Sequence, residues 1–362
     1  MSAAKFQSGG GKGRANGLYW CLALAMVLLA IWLWWKSEKT AQRKKAALEA
    51  VAAQKAKARP VRVRPQVDLT SPTATGWPRP VQNLFEAQVA LIGEGISPGS
   101  LDGVKGSQTR AALAAFQWKE HLPATGELDD ATRAKLQLEE SPYTNYLVTS
   151  NDLARLQPLA TTWLGKSQQT ALDFETILEE VAEKTMSHPN LIRRLNPAAN
   201  WTNMMAGTSL IVPNVSYPDP DGKAAFLVIH LASRTLEAFD DATNLLVHFP
   251  CSIAQRVEKR PVGELHVAVL APNPNYTFDP DVFPESAEAK ELGRKLILPP
   301  GPNNPVGVAW IGLDRPGYGI HGTPRPEDVG RTESHGCFRL ANWNAEYLLN
   351  LVTVGTPVYV LE

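Results

Sequence analysis

The fold and chemistry of this chain depend on the stretch Ser334-His335-Gly336-Cys337-Phe338-Arg339. It is preceded by His321, within Tyr318-Gly319-Ile320-His321-Gly322-Thr323. A cysteine forms a nucleophilic thiolate near neutral pH when an imidazole lies beside it, and here two histidines lie close to one sulfur in the sequence. His335 and Cys337 are two positions apart, so in an extended segment both side chains point to one face. These residues predict that Cys337 is a nucleophile.

Gly336 separates His335 from Cys337 and has no side chain. A substrate can therefore approach the backbone closely at this position. The backbone N–H groups of Gly336 and Cys337 are then candidate donors to an oxyanion.

Three other interpretations stay open on the sequence alone. A single Cys or His in a β-rich domain is often an inert core residue. A zinc site would use His321, His335 and Cys337, although neither a fourth ligand nor a C-x-x-C pair is evident. A disulfide would join Cys337 to Cys251, but residues 245–251 alternate like a strand and favour a buried thiol at Cys251. We predict no metal and no cofactor.

His321-Gly322-Thr323 followed by Ser334-His335-Gly336-Cys337-Phe338-Arg339-Leu340 resembles the signature of the L,D-transpeptidase (YkuD-type) catalytic domain. The likeness spans residues 224–362 and includes Arg260-Pro261-Val262-Gly263 before a strand. It implies that the cysteine attacks the carbonyl of the third residue of a peptidoglycan stem tetrapeptide and expels the terminal D-alanine. An amine of a second stem then resolves the thioester.

The resemblance also implies a role for each residue of the two motifs. The upstream histidine, His321, acts as the base. His335, Gly336 and Cys337 shape the oxyanion site together with Ser334, and Arg339 steadies the loop or meets a substrate carboxylate. Family members often carry Ser or Thr after the upstream histidine, whereas this chain has Gly322. The backbone carbonyl at that position could still orient the imidazole, but no side-chain hydroxyl is present at Gly322 to do so.

Two other functions compete with a transpeptidase. A hydrolase on the same scaffold would resolve the acyl-enzyme with water, as an L,D-carboxypeptidase or by cleaving crosslinks to a wall-attached protein. A non-catalytic wall-binding scaffold is the third possibility, although it has no need for a reactive thiol between two imidazoles.

Charge and hydropathy predict a membrane anchor. Lys plus Arg and Asp plus Glu number 36 each, so no global charge indicates a nucleic-acid partner. Residues 17–35 carry no charge and have aromatic side chains at both ends, which is typical of one membrane-spanning helix. A cleaved signal peptide is the alternative, since Lys5, Lys12 and Arg14 precede the apolar run. The three tryptophans at its end favour an uncleaved anchor, and the sequence thus predicts a single-pass protein of the inner (cytoplasmic) membrane. The basic residues after Trp35 oppose this orientation under the positive-inside rule, but the substrate places the catalytic domain in the periplasm or outside the cell.

The predicted architecture is a multidomain α+β protein. Residues 1–35 form the cytoplasmic tail and transmembrane signal anchor, and residues 36–80 a charged helical and Pro-rich stalk. Residues 81–142 resemble a helical peptidoglycan-binding domain with a small three-helix bundle, in which Phe116 and Trp118 are assigned to the core. Residues 143–218 resemble a LysM α/β module in the order strand, helix, helix, strand, with an insertion at 157–178. The partners predicted are peptidoglycan stem peptides and glycan strands.

Residues 219–362 are predicted to form the catalytic domain as a mostly antiparallel β-sandwich. The long loop 272–304, with one helix at 286–292, is predicted to wall the active-site cleft. Strands are predicted at 225–230, 235–239, 245–251, 263–270, 306–313 and 356–361.

Overall fold

The computed structural model describes residues 76–220, 222–282, 286–331 and 336–362, together with Gln42 and Lys45. Its helices are α1 (Leu84–Gly93), α2 (Ser107–Lys119), α3 (Asp130–Lys135), α4 (Ser150–Arg155), α5 (Trp163–Ser167), α6 (Ile177–Lys184), α7 (Pro189–Leu195), α8 (Ala287–Leu292) and α9 (Asn342–Leu351). Its strands are β1 (Arg79–Pro80), β2 (Gln137–Leu138), β3 (Tyr143–Leu147), β4 (Ser209–Pro213), β5 (Phe226–His230), β6 (Thr235–Phe239), β7 (Leu245–Pro250), β8 (Gly263–Pro272), β9 (Tyr276–Phe278), β10 (Leu296–Leu298), β11 (Ala309–Leu313), β12 (Gly319–His321), β13 (Phe338–Arg339) and β14 (Pro357–Leu361).

The predicted single-pass membrane location is wrong for the part of the chain that the structure describes. No helix there is both long and apolar enough to cross a bilayer. The longest has 13 residues, whereas a membrane span needs about 20. The stretch 17–35, on which the prediction rested, lies outside the described residues, as does the stalk up to residue 75 apart from Gln42 and Lys45.

The three helices predicted within 81–138 are confirmed as α1 to α3, and two buried glutamines connect them to the loops. The Gln88 amide donates to Thr109 Oγ1 at 3.0 Å, and its carbonyl oxygen accepts from the Gly103 N–H at 2.8 Å. Gln117 does the same for the third helix, with Thr132 Oγ1 at 2.7 Å. Phe116 is buried in the core, as predicted, whereas Trp118, assigned to the same core, is only half-buried. Satisfied buried amides fix loop positions that apolar packing alone would leave loose.

This helical unit also contacts the catalytic sheet. The Ser97 N–H donates to the His248 carbonyl at 2.8 Å, and the His248 N–H donates to the Gly95 carbonyl at 3.2 Å, so residues 95–97 cover the edge of β7. The Trp118 ring meets Phe239 edge to face, with centroids 6.0 Å apart. Covering an edge strand removes a site of unwanted strand pairing.

Residues 143–218 contain an antiparallel pair, β3 with β4, and helices α4 to α7 between these strands. Two of these helices, α4 and α7, lie where the sequence predicts the pair between the strands, whereas α5 and α6 are additional. The LysM assignment stays a prediction. Thr149 caps α4 in a reciprocal box with Asp152. The stretch 157–178 contributes α5, whose Trp163 stacks on Phe278 of β9 at 4.5 Å. The insertion therefore packs on the long catalytic-domain loop.

The region predicted as the catalytic domain has a mixed α+β fold built on one eight-stranded sheet in the order β13-β12-β11-β8-β14-β5-β6-β7. The predicted strands coincide closely with β5 to β8 and β14, but the predicted two-layer sandwich is wrong. Strand β8 pairs with β14 through its first half and with β11 through its second half, which joins all the strands into one sheet. Neighbouring strands of the sheet are antiparallel, except for the pairs β12–β13 and β14–β5, which are parallel.

The sheet curls until its two ends meet. Ser252, just after β7, exchanges backbone hydrogen bonds with Arg339 of β13 at 2.9 and 3.0 Å. The concave side encloses a core that includes Leu227, Val247 and Ile311. Closing the sheet leaves fewer unpaired edge groups and fixes β13 from both sides.

Candidate active site

Two short parallel strands place the candidate catalytic residues on one face of the sheet. Ile320 of β12 lies opposite Phe338 of β13, and His321 lies opposite Arg339. Ile320 and Phe338 are 0% and 1% exposed and belong to the core. Because side chains alternate along a strand, His321 and Arg339 point to the other face, and so does Cys337, which precedes Phe338. The register brings His321, Cys337 and Arg339 together.

His321 is held as a neutral imidazole. Its Nδ1 donates to the Gly322 carbonyl at 2.6 Å, which leaves Nε2 without a proton and able to accept one. The Trp310 ring stacks on the imidazole with centroids 5.6 Å apart. Burial lowers the pKa of His321 to about 4, and the charge of Arg339 adds to this lowering while the hydrogen bond to Gly322 opposes it.

Cys337 is partly exposed, and its sulfur lies beside the turn that leads into β12. Its thiol donates to the Gly317 carbonyl at 3.5 Å. Burial raises the pKa of Cys337, although the N–H of Gly319 and the charge of Arg339 act in the opposite direction. With a neutral imidazole and a protonated thiol, the resting pair needs general-base transfer to form the thiolate.

Tyr276 of β9 is part of this site and is absent from the sequence-based candidates. Burial and the nearby Cys337 raise the pKa of Tyr276 to about 12. The same environment includes Arg339, whose pKa is lowered by burial. The wall predicted from the length of the loop 272–304 is consistent with this placement. No spacing or motif distinguishes Tyr276 from the other aromatic residues of that loop.

Asn342, at the start of α9, is a second residue that the sequence did not indicate. Its Oδ1 accepts from the N–H of Thr323 at 2.9 Å, and its Nδ2 donates to Glu183 Oε1 at 2.8 Å. Gly322, one of the candidate site residues, lies directly against it: a Cβ at position 322 would fall 2.2 Å from Asn342 Oδ1. The absence of a side chain at Gly322 is therefore a packing requirement.

The remaining candidates divide between described and undescribed parts of the motif. Ser334 and His335 lie outside the described residues, whereas Gly336 lies in the bend just before β13. Within the described ranges, no group of three or more His, Cys, Asp or Glu side chains could hold a metal ion. Cys251 and Cys337 are both thiols, so the alternative disulfide is not formed.

Two regions of the chain match known domain families. Residues 224–360 match the YkuD L,D-transpeptidase catalytic domain, and residues 81–136 match a peptidoglycan-binding domain. The chain contains a YkuD-type L,D-transpeptidase catalytic domain and a peptidoglycan-binding domain.

Individual relatives cover parts of the chain. A Bacillus licheniformis protein named as the L,D-transpeptidase YkuD is 26% identical over 183 residues, which is 51% of this chain and 92% of that protein. An Escherichia coli K12 protein named as the L,D-transpeptidase YbiS is 30% identical over 184 residues, or 50% of this chain and 58% of that protein. The chain therefore spans just over half the length of the second relative.

Solved structures give a weaker likeness. An L,D-transpeptidase from Mycobacterium smegmatis is 19% identical, with a TM-score of 0.31 over 44% of this chain and 65% of that chain. L,D-transpeptidase 3 from Mycobacterium tuberculosis is 18% identical, with a TM-score of 0.30 over 44% of this chain and 77% of that chain.

Proposed function

We propose that this protein is an L,D-transpeptidase that acts on peptidoglycan stem peptides through a cysteine acyl-enzyme. The parallel register of β12 and β13 carries the proposal, because it presents His321 and Cys337 on one face. The match of residues 224–360 to the catalytic-domain family supports the substrate class. Cys337 is the nucleophile and His321 is the base.

The first half of the reaction forms a thioester. His321 Nε2 takes the thiol proton as the Cys337 sulfur attacks the carbonyl of the third stem residue. A carbon–sulfur bond forms and the carbon–nitrogen bond to the terminal D-alanine breaks. The imidazolium of His321 returns its proton to the departing amine, so the base is neutral again.

The second half transfers the acyl group. An amine of another stem attacks the thioester carbonyl and His321 accepts a proton from that amine. A carbon–nitrogen bond forms as the carbon–sulfur bond breaks, and the imidazolium of His321 returns its proton to the departing Cys337 sulfur. We assign the N–H groups of Gly336 and Cys337 to the oxyanion in both steps, with Ser334 and His335 as further residues of the oxyanion site. Arg339 faces this site and is suited to a substrate carboxylate.

The chain also divides into units that we assign to separate tasks. We place the wall-binding domain at 81–142, an intermediate α/β module at 143–218 and the catalytic domain at 219–362. The peptidoglycan-binding family match to residues 81–136 supports the first assignment. Binding of glycan strands by the intermediate module rests on its LysM-like order of elements.

Incubating the full chain with a stem tetrapeptide tests the reaction. The expected products are free D-alanine and a crosslinked dimer of stems, with an intact-mass increase of the protein that peptide mapping places on Cys337. Release of the tripeptide without dimer, at any acceptor concentration, would show the hydrolase instead. No adduct and no D-alanine would overturn both.

A further inference from the structure

The side chain of Asn342 is buried, with 1% of the residue exposed, and is hydrogen-bonded on all sides. Its Oδ1 accepts from the N–H groups of Thr323 and Val308 at 2.9 and 3.4 Å. Its Nδ2 donates to Glu183 Oε1 at 2.8 Å and to the Pro302 carbonyl at 3.1 Å. One amide thus joins three separate stretches of chain.

The contact with Thr323 bears directly on the candidate base. The Gly322 carbonyl, which accepts from His321 Nδ1, and the Thr323 N–H belong to one peptide group. A peptide group is planar, so fixing its N–H also fixes its carbonyl. Asn342 therefore sets the acceptor that holds the His321 tautomer and the direction of the ring.

The glycines around Asn342 leave room for this arrangement. A Cβ at Gly307, where φ is +62°, would lie 2.0 Å from Asn342 Oδ1, and one at Gly322 would lie 2.2 Å from it. Asn342 Oδ1 occupies the space in which a side chain at position 322 would begin. The Gly322 carbonyl, held in place by the amide of Asn342, orients the imidazole of His321. A hydroxyl at position 322 would otherwise serve this purpose.

A cavity borders the residues that follow Thr323. Pro324, Arg325 and Pro326 line this cavity of about 480 Å³, and Glu179 and Glu183 of α6 also line it. Backbone hydrogen bonds from Leu340 and to Ala309 hold the peptide between His321 and Gly322, whereas Asn342 Oδ1 holds the N–H of the next peptide, between Gly322 and Thr323.

We propose that Asn342, held by Glu183 from helix α6, is a positioning residue for His321. The proposal rests on the function proposed above for the reaction that it serves. Glu183 belongs to the module at 143–218, so that module contributes to the geometry of the catalytic base. Neither residue contacts the reacting atoms.

The first test compares two buried asparagines of α9. Asn342→Ala should slow acylation of Cys337 about ten- to a hundredfold, in line with the cost of misplacing a catalytic group. The acid limb of the rate should also move below about pH 4, because the hydrogen bond to the Gly322 carbonyl raises the pKa of His321 and is weakened when that carbonyl is no longer fixed. Asn344→Ala is the control, since Asn344 instead accepts from the Tyr217 hydroxyl and donates to Ser97 Oγ.

If Asn342→Ala lowers only the melting temperature, as Asn344→Ala should, the role is structural and the proposal is overturned. A second pair of variants covers the case in which Asn342→Ala fails to fold. Glu183→Ala should slow acylation about tenfold, as expected for a misplaced base. Glu183→Gln should restore most of the rate, because burial raises the pKa of Glu183 to about 8 and a neutral amide keeps the acceptor oxygen. Equal rates for both Glu183 variants would contradict the proposal.

A double substitution gives the sharpest readout. Gly322→Ser alone should impair acylation, because its Cβ displaces Asn342 Oδ1. In the Asn342→Ala background the same serine has room, and its hydroxyl can orient the imidazole, so the double variant should be faster than Asn342→Ala alone. Strict additivity of the two effects would mean that the residues act independently.

Failure of the proposed function can be told apart from failure of this inference. Alkylation of Cys337 by iodoacetamide across pH needs no stem peptide and reports how its sulfur loses its proton. If the unsubstituted chain turns over no tetrapeptide, the proposed function falls. The effect of Asn342→Ala on the alkylation profile, against Asn344→Ala, still decides the positioning role.

Discussion

Cys251 and Cys337 lie beside the same backbone bridge but face opposite sides of the sheet. The bridge joins Ser252 to Arg339, which follow the two cysteines in sequence. Cys251 is 0% exposed and sits in the core, and burial raises its thiol pKa far above the ordinary range. Cys337 is partly exposed and shares its face with His321. The face of the sheet to which each side chain points, more than the residues next to it in sequence, therefore distinguishes the inert thiol from the nucleophile.

The largest expected effect comes from exchanging each thiol for a methyl group. Cys337→Ala should abolish tetrapeptide acylation and also the acylation by carbapenems that the family resemblance implies. Cys251→Ala should retain both and lose about 1 kcal/mol of folding free energy, as for a small buried side chain. Intact mass and thermal melting measure the two outcomes. Acyl adduct on Cys251 would break the comparison.

The Cys337→Ala chain also separates binding from chemistry. We expect it to sediment with purified peptidoglycan sacculi as fully as the unsubstituted chain, because residues 81–136 match a binding domain and contain no part of the catalytic pair. Loss of sedimentation with retained folding would place wall affinity in the catalytic site.

Removal of the base should cost less than removal of the nucleophile. His321→Ala is expected to slow acylation about 10²-fold or more, since the protonated thiol loses its only proposed proton acceptor. Single-turnover mass spectrometry at pH 7 measures the rate. If His335→Ala is the slower variant and His321→Ala stays near the original rate, the two histidines exchange roles.

The pH dependence of acylation distinguishes a neutral imidazole and thiol at His321 and Cys337 from a preformed imidazolium–thiolate ion pair. His321 accepts a proton only when neutral, so acylation should be flat above about pH 5 and fall about tenfold per pH unit as the pH drops below about 4. In the His321→Ala chain, iodoacetamide should alkylate Cys337 only as the pH rises toward and above the ordinary thiol value of about 8.5, because burial raises the Cys337 pKa. Fast alkylation of that variant at pH 6 would show a standing thiolate.

The predictions from the sequence differ most from the structure where residues distant in the chain hold a strand or a side chain in place. The motifs around His321 and Cys337 are local, so the sequence alone predicts a shared site there, and the register of β12 and β13 places both residues on one face. The strands were also predictable from alternation, but their closure into one curled sheet was not, because it depends on β8 pairing with two partners. Tyr276 and Asn342 were missed for the same reason: only tertiary contacts distinguish them from other polar and aromatic residues.

The smallest predicted effect concerns the insertion at 157–178. It tests whether this insertion helps to position the residues around Cys337. Trp163 stacks on Phe278 and lies 6.4 Å from the Tyr276 ring, measured between centroids. Because Trp163 is half-buried, Trp163→Ala should cost about 1–2 kcal/mol of folding free energy, below the range for fully buried aromatics. We expect acylation of Cys337 to slow by roughly threefold, since a loosened β9 leaves Tyr276 less well placed.

Lys166→Ala is the matched control, because Lys166 lies over the same Trp163 ring at 5.7 Å but does not contact Tyr276 in the described contacts. Urea unfolding and single-turnover acylation measure the two quantities on each variant. A Trp163→Ala chain that is destabilised but acylates at the original rate would limit the insertion to a structural role. If acylation is slower only in Trp163→Ala, the insertion acts on the face of the sheet that carries Cys337. Continued protection of the buried Cys251 thiol from alkylation in both variants would show that the core is intact.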